Sequence, residues 1–205
     1  MELLSYSELY PNLLRRLKDP FCVLFLYGDM RLLRYLNTNV ENILSFTGSR
    51  YIDKYERKCI ARILGGINIG DNIKVAITGG AIGCDELVIN YFNNRRLGNI
   101  ICMPKITKRI VKLCENLQFF LLIGIYPEKQ TLEKKMFLER NKLIAGLSNK
   151  LIFLKGGERS GSINTANISI KLGNEILVNS KELRKGGYDG NLMLLNKGLK
   201  NIISI

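Results

Sequence analysis

The chain has 205 residues, 46% hydrophobic and 24% charged, a balance that fits one well-buried core and excludes a predominantly disordered chain. Lys and Arg number 31 against 18 Asp and Glu, a net charge of +13 without a single histidine; the excess makes a polyanion or an anionic surface the natural partner, and the missing imidazole excludes Ser-His-Asp and Cys-His nucleophile systems and His-containing zinc sites. No apolar run approaches the roughly twenty residues that cross a bilayer, the N-terminus lacks a secretory signal, and Cys22, Cys59, Cys84, Cys102 and Cys114 are never closely paired, so a cytoplasmic chain with reduced thiols, no membrane contact, no metal and no cofactor is expected.

In chain order, residues 1–41 read as an N-terminal extension packing on the core of a single domain spanning 1–205. They carry Tyr10-Pro11-Asn12-Leu13-Leu14 and an apolar run, Phe21 to Tyr27, that ends at Gly28-Asp29 and suits an outer strand. Asn42 to Thr47 is a strand ending in Gly48-Ser49-Arg50, and Asp53 to Leu64 is a helix. On that helix Cys59, Ile60, Ile63 and Leu64 share one side and Lys54, Arg57, Lys58 and Arg62 the other, a cationic stripe whose default role is a solvated face.

Ile73 to Thr78 reads as a buried strand entering Gly79-Gly80-Ala81-Ile82-Gly83, with Asp85 placed to cap or begin a helix that bears Leu87, Val88, Tyr91 and Phe92. Asn99 to Met103 is a third strand ending at Pro104, followed by a basic cluster of Lys105, Lys108, Arg109 and Lys112. Phe119 to Ile125 is a fourth strand, Thr131 to Leu147 a helix, Lys150 to Leu154 a fifth strand, Ser162 to Leu172 a helix entered through Ser160-Gly161-Ser162, and Glu175 to Val178 a sixth strand. Short apolar strands alternating with helices predict an α/β fold: a Rossmann-like, mostly parallel sheet with helices on both faces.

Open α/β sheets bind ligands outside the carboxyl ends of their strands, where helix N-termini point free N–H groups outward. The turns at 48–50, 79–83 and 160–162 each follow a strand and precede a helix. Glycine lets the backbone approach an anion, hydroxyls donate hydrogen bonds, and Arg50 can fork onto a phosphate. Tyr51, Tyr55 and Tyr126 flank these loops and are able to stack on bases, but a tyrosine beside a loop more often packs, and none is assigned a role.

Taken in order, Gly48-Ser49-Arg50, the Gly79 to Asp85 turn, the segment Arg140-Asn141-Lys142 leading into Ile144-Ala145-Gly146-Leu147-Ser148, and Ser160-Gly161-Ser162 followed by Thr165-Ala166 resemble the DprA/Smf family of DNA-processing proteins. Tyr10 to Leu14, Gly28-Asp29, Gly190-Asn191-Leu192 and Lys197-Gly198 extend the likeness over nearly the whole chain. It covers the family's Rossmann core, without the helical and winged-helix-like modules that flank it in many members.

The resemblance implies an extended Rossmann-like domain that binds single-stranded DNA, forms homodimers and helps load RecA recombinase during natural transformation. Its DNA-contacting residues carry over to Gly48, Ser49, Arg50, Gly79, Gly80, Gly83, Arg140, Asn141, Lys142, Ser160, Gly161 and Ser162. Three positions depart from the family pattern. Lys142 replaces a second arginine, Lys155 stands where an acidic residue is common, and Val178-Asn179-Ser180 replaces Val-Pro-Gly. A non-catalytic DNA binder is therefore expected. The alternatives are a lysine-decarboxylase-like nucleotide phosphoribohydrolase, whose Pro-Gly-Gly-x-Gly-Thr run is reduced here to Gly156-Gly157-Glu158, and a small-nucleotide sensor.

Overall fold

A computed structural model describes residues 1–67, 69–180 and 186–202. The chain begins with β1 (Glu2–Leu4), β2 (Val23–Gly28) and α1 (Met30–Thr38). Four βα units follow: β3 (Ile43–Thr47) with α2 (Lys54–Gly66), β4 (Val75–Thr78) with α3 (Cys84–Asn93), β5 (Gly98–Lys105) with α4 (Lys108–Cys114), and β6 (Phe120–Tyr126) with α5 (Lys134–Gly146). The remainder is β7 (Lys150–Phe153), α6 (Gly161–Lys171), β8 (Glu175–Val178), α7 (Asp189–Asn196) and β9 (Lys200–Asn201).

Among the described residues the strands form one sheet in the order β1-β2-β6-β5-β4-β3-β7-β8-β9. From β6 to β9 every pairing is parallel, whereas β2 runs antiparallel to β6 and β1 antiparallel to β2. The apolar run before Gly28 thus adds to the sheet beyond β6, as expected, but in the opposite sense and with β1 outside it. The chain winds outward from β3 through β4 and β5 to β6, then returns to lay β7 on the other side of β3. The order of connection therefore reverses between β3 and β7, and their carboxyl ends frame a crevice.

Strand residues alternate between two apolar layers. Ile43, Val75, Ile77, Ile100, Leu151 and Phe153 pack with Leu33 and Leu36 of α1, Leu143 and Ile144 of α5, Ile163 and Ala166 of α6 and Leu194 of α7. Leu44, Phe46, Ala76 and Ile152 pack on the other face with Ile60, Ile63 and Leu64 of α2 and Val88 and Phe92 of α3. Burial on both faces explains why β3 and β4 carry no alternation of polar and apolar residues. Tyr10, Leu14 and Leu24 of the N-terminal segment are fully buried in the first layer.

Local boundaries follow from capping. Asp53 and Glu56 form a reciprocal capping box that starts α2, and the cations Lys54, Arg57, Lys58 and Arg62 all face solvent. β5 runs past the expected stop at Pro104, because Lys105 still pairs with Tyr126. The basic cluster falls largely on the short helix α4, with Lys108, Arg109 and Lys112 exposed. No described helix is long and apolar enough to cross a membrane.

Candidate functional site

At the carboxyl end of β3 the chain turns through Gly48, Ser49 and Arg50. The first two are wedged against the next βα unit: a Cβ on Gly48 would lie 2.5 Å from Cys84 Sγ, and the Cys84 N–H donates to Ser49 O at 3.0 Å. Gly83, at a φ of +84°, presses so closely on the carbonyls of Ser49 and Arg50 that a Cβ there would sit 2.6 Å from each oxygen, a place only glycine can fill. Arg50 itself is exposed. Its guanidinium carbon lies 6.0 Å from the centre of the Phe137 ring, and among the described residues it forms no salt bridge with Asp53, Asp85 or any other carboxylate.

The glycine turn after β4 is closed from within. One Asp85 carboxylate oxygen accepts from the N–H groups of Gly79 (3.1 Å) and Ala81 (3.2 Å), while the Gly80 N–H turns to Thr78 Oγ1 at 3.4 Å. Asp85, placed by the sequence to cap or begin α3, begins it as the helix's second residue and turns its side chain back to brace the preceding loop, while Gly83 occupies the N-cap position without a side chain to offer. The N–H groups of Gly79 and Gly80, expected to face an anion, are thereby already engaged.

Arg140 stands behind this turn. It is only 6% exposed, lies along α5 on the same buried face as Met136, Leu143 and Ile144, and donates from Nη1 to Cys102 O of β5 at 3.1 Å. Its Nε has no hydrogen-bond partner among the described residues. Gly79 must be glycine, because a Cβ there would meet Arg140 Nη1 at 1.8 Å. Burial pushes the Asp85 carboxyl up to about 6, against the pull of Arg140, of the Ala81 and Gly79 N–H groups and of Arg50. Burial likewise lowers the pKa of Arg140, an effect that Asp85 opposes and Arg50 reinforces. Arg140, which the resemblance gives as a DNA-contacting residue, is thus buried: set between Met136 and Ile144 at helical spacing it points inward, and its guanidinium lies against Gly79 beneath the second turn.

The third turn, between β7 and α6, is tied down by several distant segments. Ser160 caps α6 by accepting from the Ile163 N–H, and its hydroxyl meets that of the buried Ser162 at 2.7 Å. Both hydroxyls are thus used within the turn. Asn141 Nδ2 of α5 donates to Gly161 O and to Asn164 Oδ1, each at 3.2 Å, so Asn141 too is a brace and not a protruding group. The N–H groups of Gly161 and Ser162, in the first turn of an 11-residue helix, make no hydrogen bond among the described residues. Lys142, the neighbour of Asn141, is partly buried and makes no ion pair among the described residues.

Several supporting residues went unassigned in the sequence. Lys155 Nζ pairs with the buried Glu56 at 2.7 Å and also donates to Tyr51 O at 3.2 Å, so it links β7 to the start of α2 and to the first turn. Asn191 of α7 accepts from the Gly156 N–H and donates to Leu154 O and Asn179 O. Lys155 and Asn179 stand at departures from the family pattern and Asn191 within its closing glycine-asparagine segment, but no local spacing points to these bonds. The described residues contain no group of three Cys, Asp or Glu able to hold a metal ion.

A family model described as DNA recombination-mediator protein A matches residues 2–205. The chain is 26% identical over 202 residues to the DNA processing protein DprA of Bacillus subtilis, covering 97% of this chain and 66% of that protein, and so spans just under two thirds of its length. It is 26% identical to the DprA of Streptococcus pneumoniae, covering 97% of this chain and 69% of that one. Among solved structures, the S. pneumoniae DprA superposes with a TM-score of 0.83 at 22% identity, over 98% of this chain and 70% of that one. A Helicobacter pylori DNA processing protein A, described for its single-stranded DNA binding mode, superposes with a TM-score of 0.78 at 24% identity, over 100% of this chain and 93% of that one.

Proposed function

The chain belongs to the DNA recombination-mediator protein A family, and from that membership we propose that it binds single-stranded DNA along the crevice between the carboxyl ends of β3 and β7. The observation that carries this reading is the charge of the crevice. Arg50 is exposed at the rim, Arg140 lies buried directly beneath the second turn, against Gly79, and neither forms a salt bridge among the described residues. Arg50 thus offers a positive charge at a water-facing edge with a second guanidinium buried beneath it, an arrangement that favours an anion.

In this reading Arg50 forks onto a phosphate, and the open N–H groups of Gly161 and Ser162 take another at the helix N-terminus. Arg140 acts through its field, while Gly48, Ser49, Gly79, Gly80, Gly83, Asn141 and Ser160 keep the turns in register and Lys142 adds charge. Homodimer formation and delivery of the strand to a RecA recombinase, implied by the resemblance, extend the proposal. The test is a titration with oligo-thymidine, the matching duplex and nucleoside monophosphates over a range of salt. Single strands should bind in preference to duplex, with affinity falling steeply as salt rises. Tight binding of a mononucleotide alone would favour a sensor, and release of free base abolished by Glu158→Ala would favour the hydrolase.

A further inference from the structure

We propose that Tyr51 is the stacking platform for an unpaired base of the bound strand, a proposal that rests on the DNA-binding reading above. Its side chain is among the most exposed in the molecule, 82% accessible, and its ring makes no hydrogen bond or ring contact among the described residues. The other tyrosines near the loops differ. Tyr126 donates its hydroxyl to Glu139, and Tyr55 is half-exposed on α2 and has further interactions of its own.

Exposure alone would make Tyr51 an ordinary surface residue, but its backbone is held unusually firmly. The Tyr51 N–H donates to Ser49 Oγ at 3.0 Å, Ser49 Oγ donates to Tyr51 O at 3.0 Å, and Lys155 Nζ donates to the same carbonyl at 3.2 Å. Lys155 is in turn fixed by Glu56, which caps α2. A large aromatic ring is thus presented to water on an anchored backbone, so a base that stacks on it has only the ring's own rotation left to order.

The surroundings specify what the ring receives. Arg50, the preceding residue, forms no salt bridge among the described residues, so a phosphate held there brings the adjoining base within reach of the next side chain. Ile82, 64% exposed, sits on the glycine turn that packs against the carbonyls of Ser49 and Arg50 and supplies a second apolar surface at the same rim. A duplex keeps its base faces within the stack and cannot use such a ring. An unpaired strand can, whatever its sequence, because every base has a π-face.

The experiment measures affinity for oligo-thymidine and for an abasic strand of equal length, with wild type, Tyr51→Ala, Tyr51→Phe and Tyr51→Trp. Loss of the ring should weaken oligo-thymidine binding by about five- to a hundredfold and leave abasic binding unchanged, while Phe keeps the affinity. The chain contains no tryptophan, so Tyr51→Trp introduces a single reporter whose emission should be quenched by oligo-thymidine and not by the abasic strand. An unaltered ratio of the two affinities in Tyr51→Ala, or an equal loss on both strands, overturns the stacking role. The crevice is judged separately. Salt-dependent abasic binding that Arg50→Ala weakens supports the phosphate track whatever Tyr51 does, and absence of any binding by wild type removes both.

Discussion

Gly79→Ala tests the packing beneath the crevice most directly. Gly79 has no left-handed φ, so the added methyl meets a problem of space and not of backbone conformation. Its Cβ would lie 1.8 Å from Arg140 Nη1 and 2.8 Å from Cζ, and a nine-tenths buried guanidinium has nowhere to retreat without giving up its bond to Cys102 O. Loss of a hydrogen bond from a charged donor costs about 1.5–3 kcal/mol and overpacking about 1–3 kcal/mol, offset by about 0.4–1 kcal/mol from the stiffer unfolded chain. The net is a destabilisation of about 3 kcal/mol, or a fall in Tm of roughly 6–12 °C for a domain of this size. Thermal melts of Gly79→Ala should be compared with Gly157→Ala, where nothing lies within 4 Å of the added atom, and with Gly79→Ala in an Arg140→Ala background, where the cost should largely vanish. A wild-type Tm for Gly79→Ala, or the same loss with and without Arg140, would refute the proposed clash.

Arg50→Ala should leave Tm unchanged, since the side chain is exposed and forms no salt bridge, yet cost about 1–3 kcal/mol in single-strand binding and lower the salt slope by about one contact; an altered Tm with an unaltered slope would make it a structural residue. Because burial raises the Asp85 carboxyl to about 6, the folded chain binds a proton there that the unfolded chain has already released, so this group's contribution to stability is present at low pH and lost as pH rises through about 6. Wild type should therefore lose Tm relative to Asp85→Asn between about pH 4 and about pH 7, and parallel curves would contradict the assignment. Glu56→Gln and Lys155→Met each leave a buried partner uncompensated, with side chains only 4% and 11% exposed, and should each cost about 3–5 kcal/mol by urea unfolding. The double variant should cost much less than the sum, and strict additivity would show that the two do not act as a pair.

What the sequence discloses, and what it hides, follows from range. The β3–α2, β4–α3 and β7–α6 units are readable because each is a short apolar run ended by glycine or a capping hydroxyl within a dozen residues. α1 was readable too, with Asp29 as cap and Leu32, Leu33 and Leu36 on one face, but it followed a strand in a segment taken only as an extension. β1 and β9, at three and two residues, are too short to show any period. The site was legible in its location and not in its orientation. Arg140 and Asn141 look like a polar break in a helix, and only their spacing from Met136 and Ile144 reveals that they face inward. Lys155 with Glu56, 99 residues apart, leaves no local trace at all.

The Asn191 staple gives the crevice an unexpected dependence on the far end of the described chain. Its side chain accepts the Gly156 N–H at 3.0 Å and reaches the carbonyls of Leu154 and Asn179, so the strand end that leads into the third turn is held in place by α7. Local opening of α7 would free the Gly156 amide while the sheet stays intact. Hydrogen exchange at that one amide therefore reports how often α7 lifts away, and any contact that steadies or loosens α7 would be felt at the crevice without touching it.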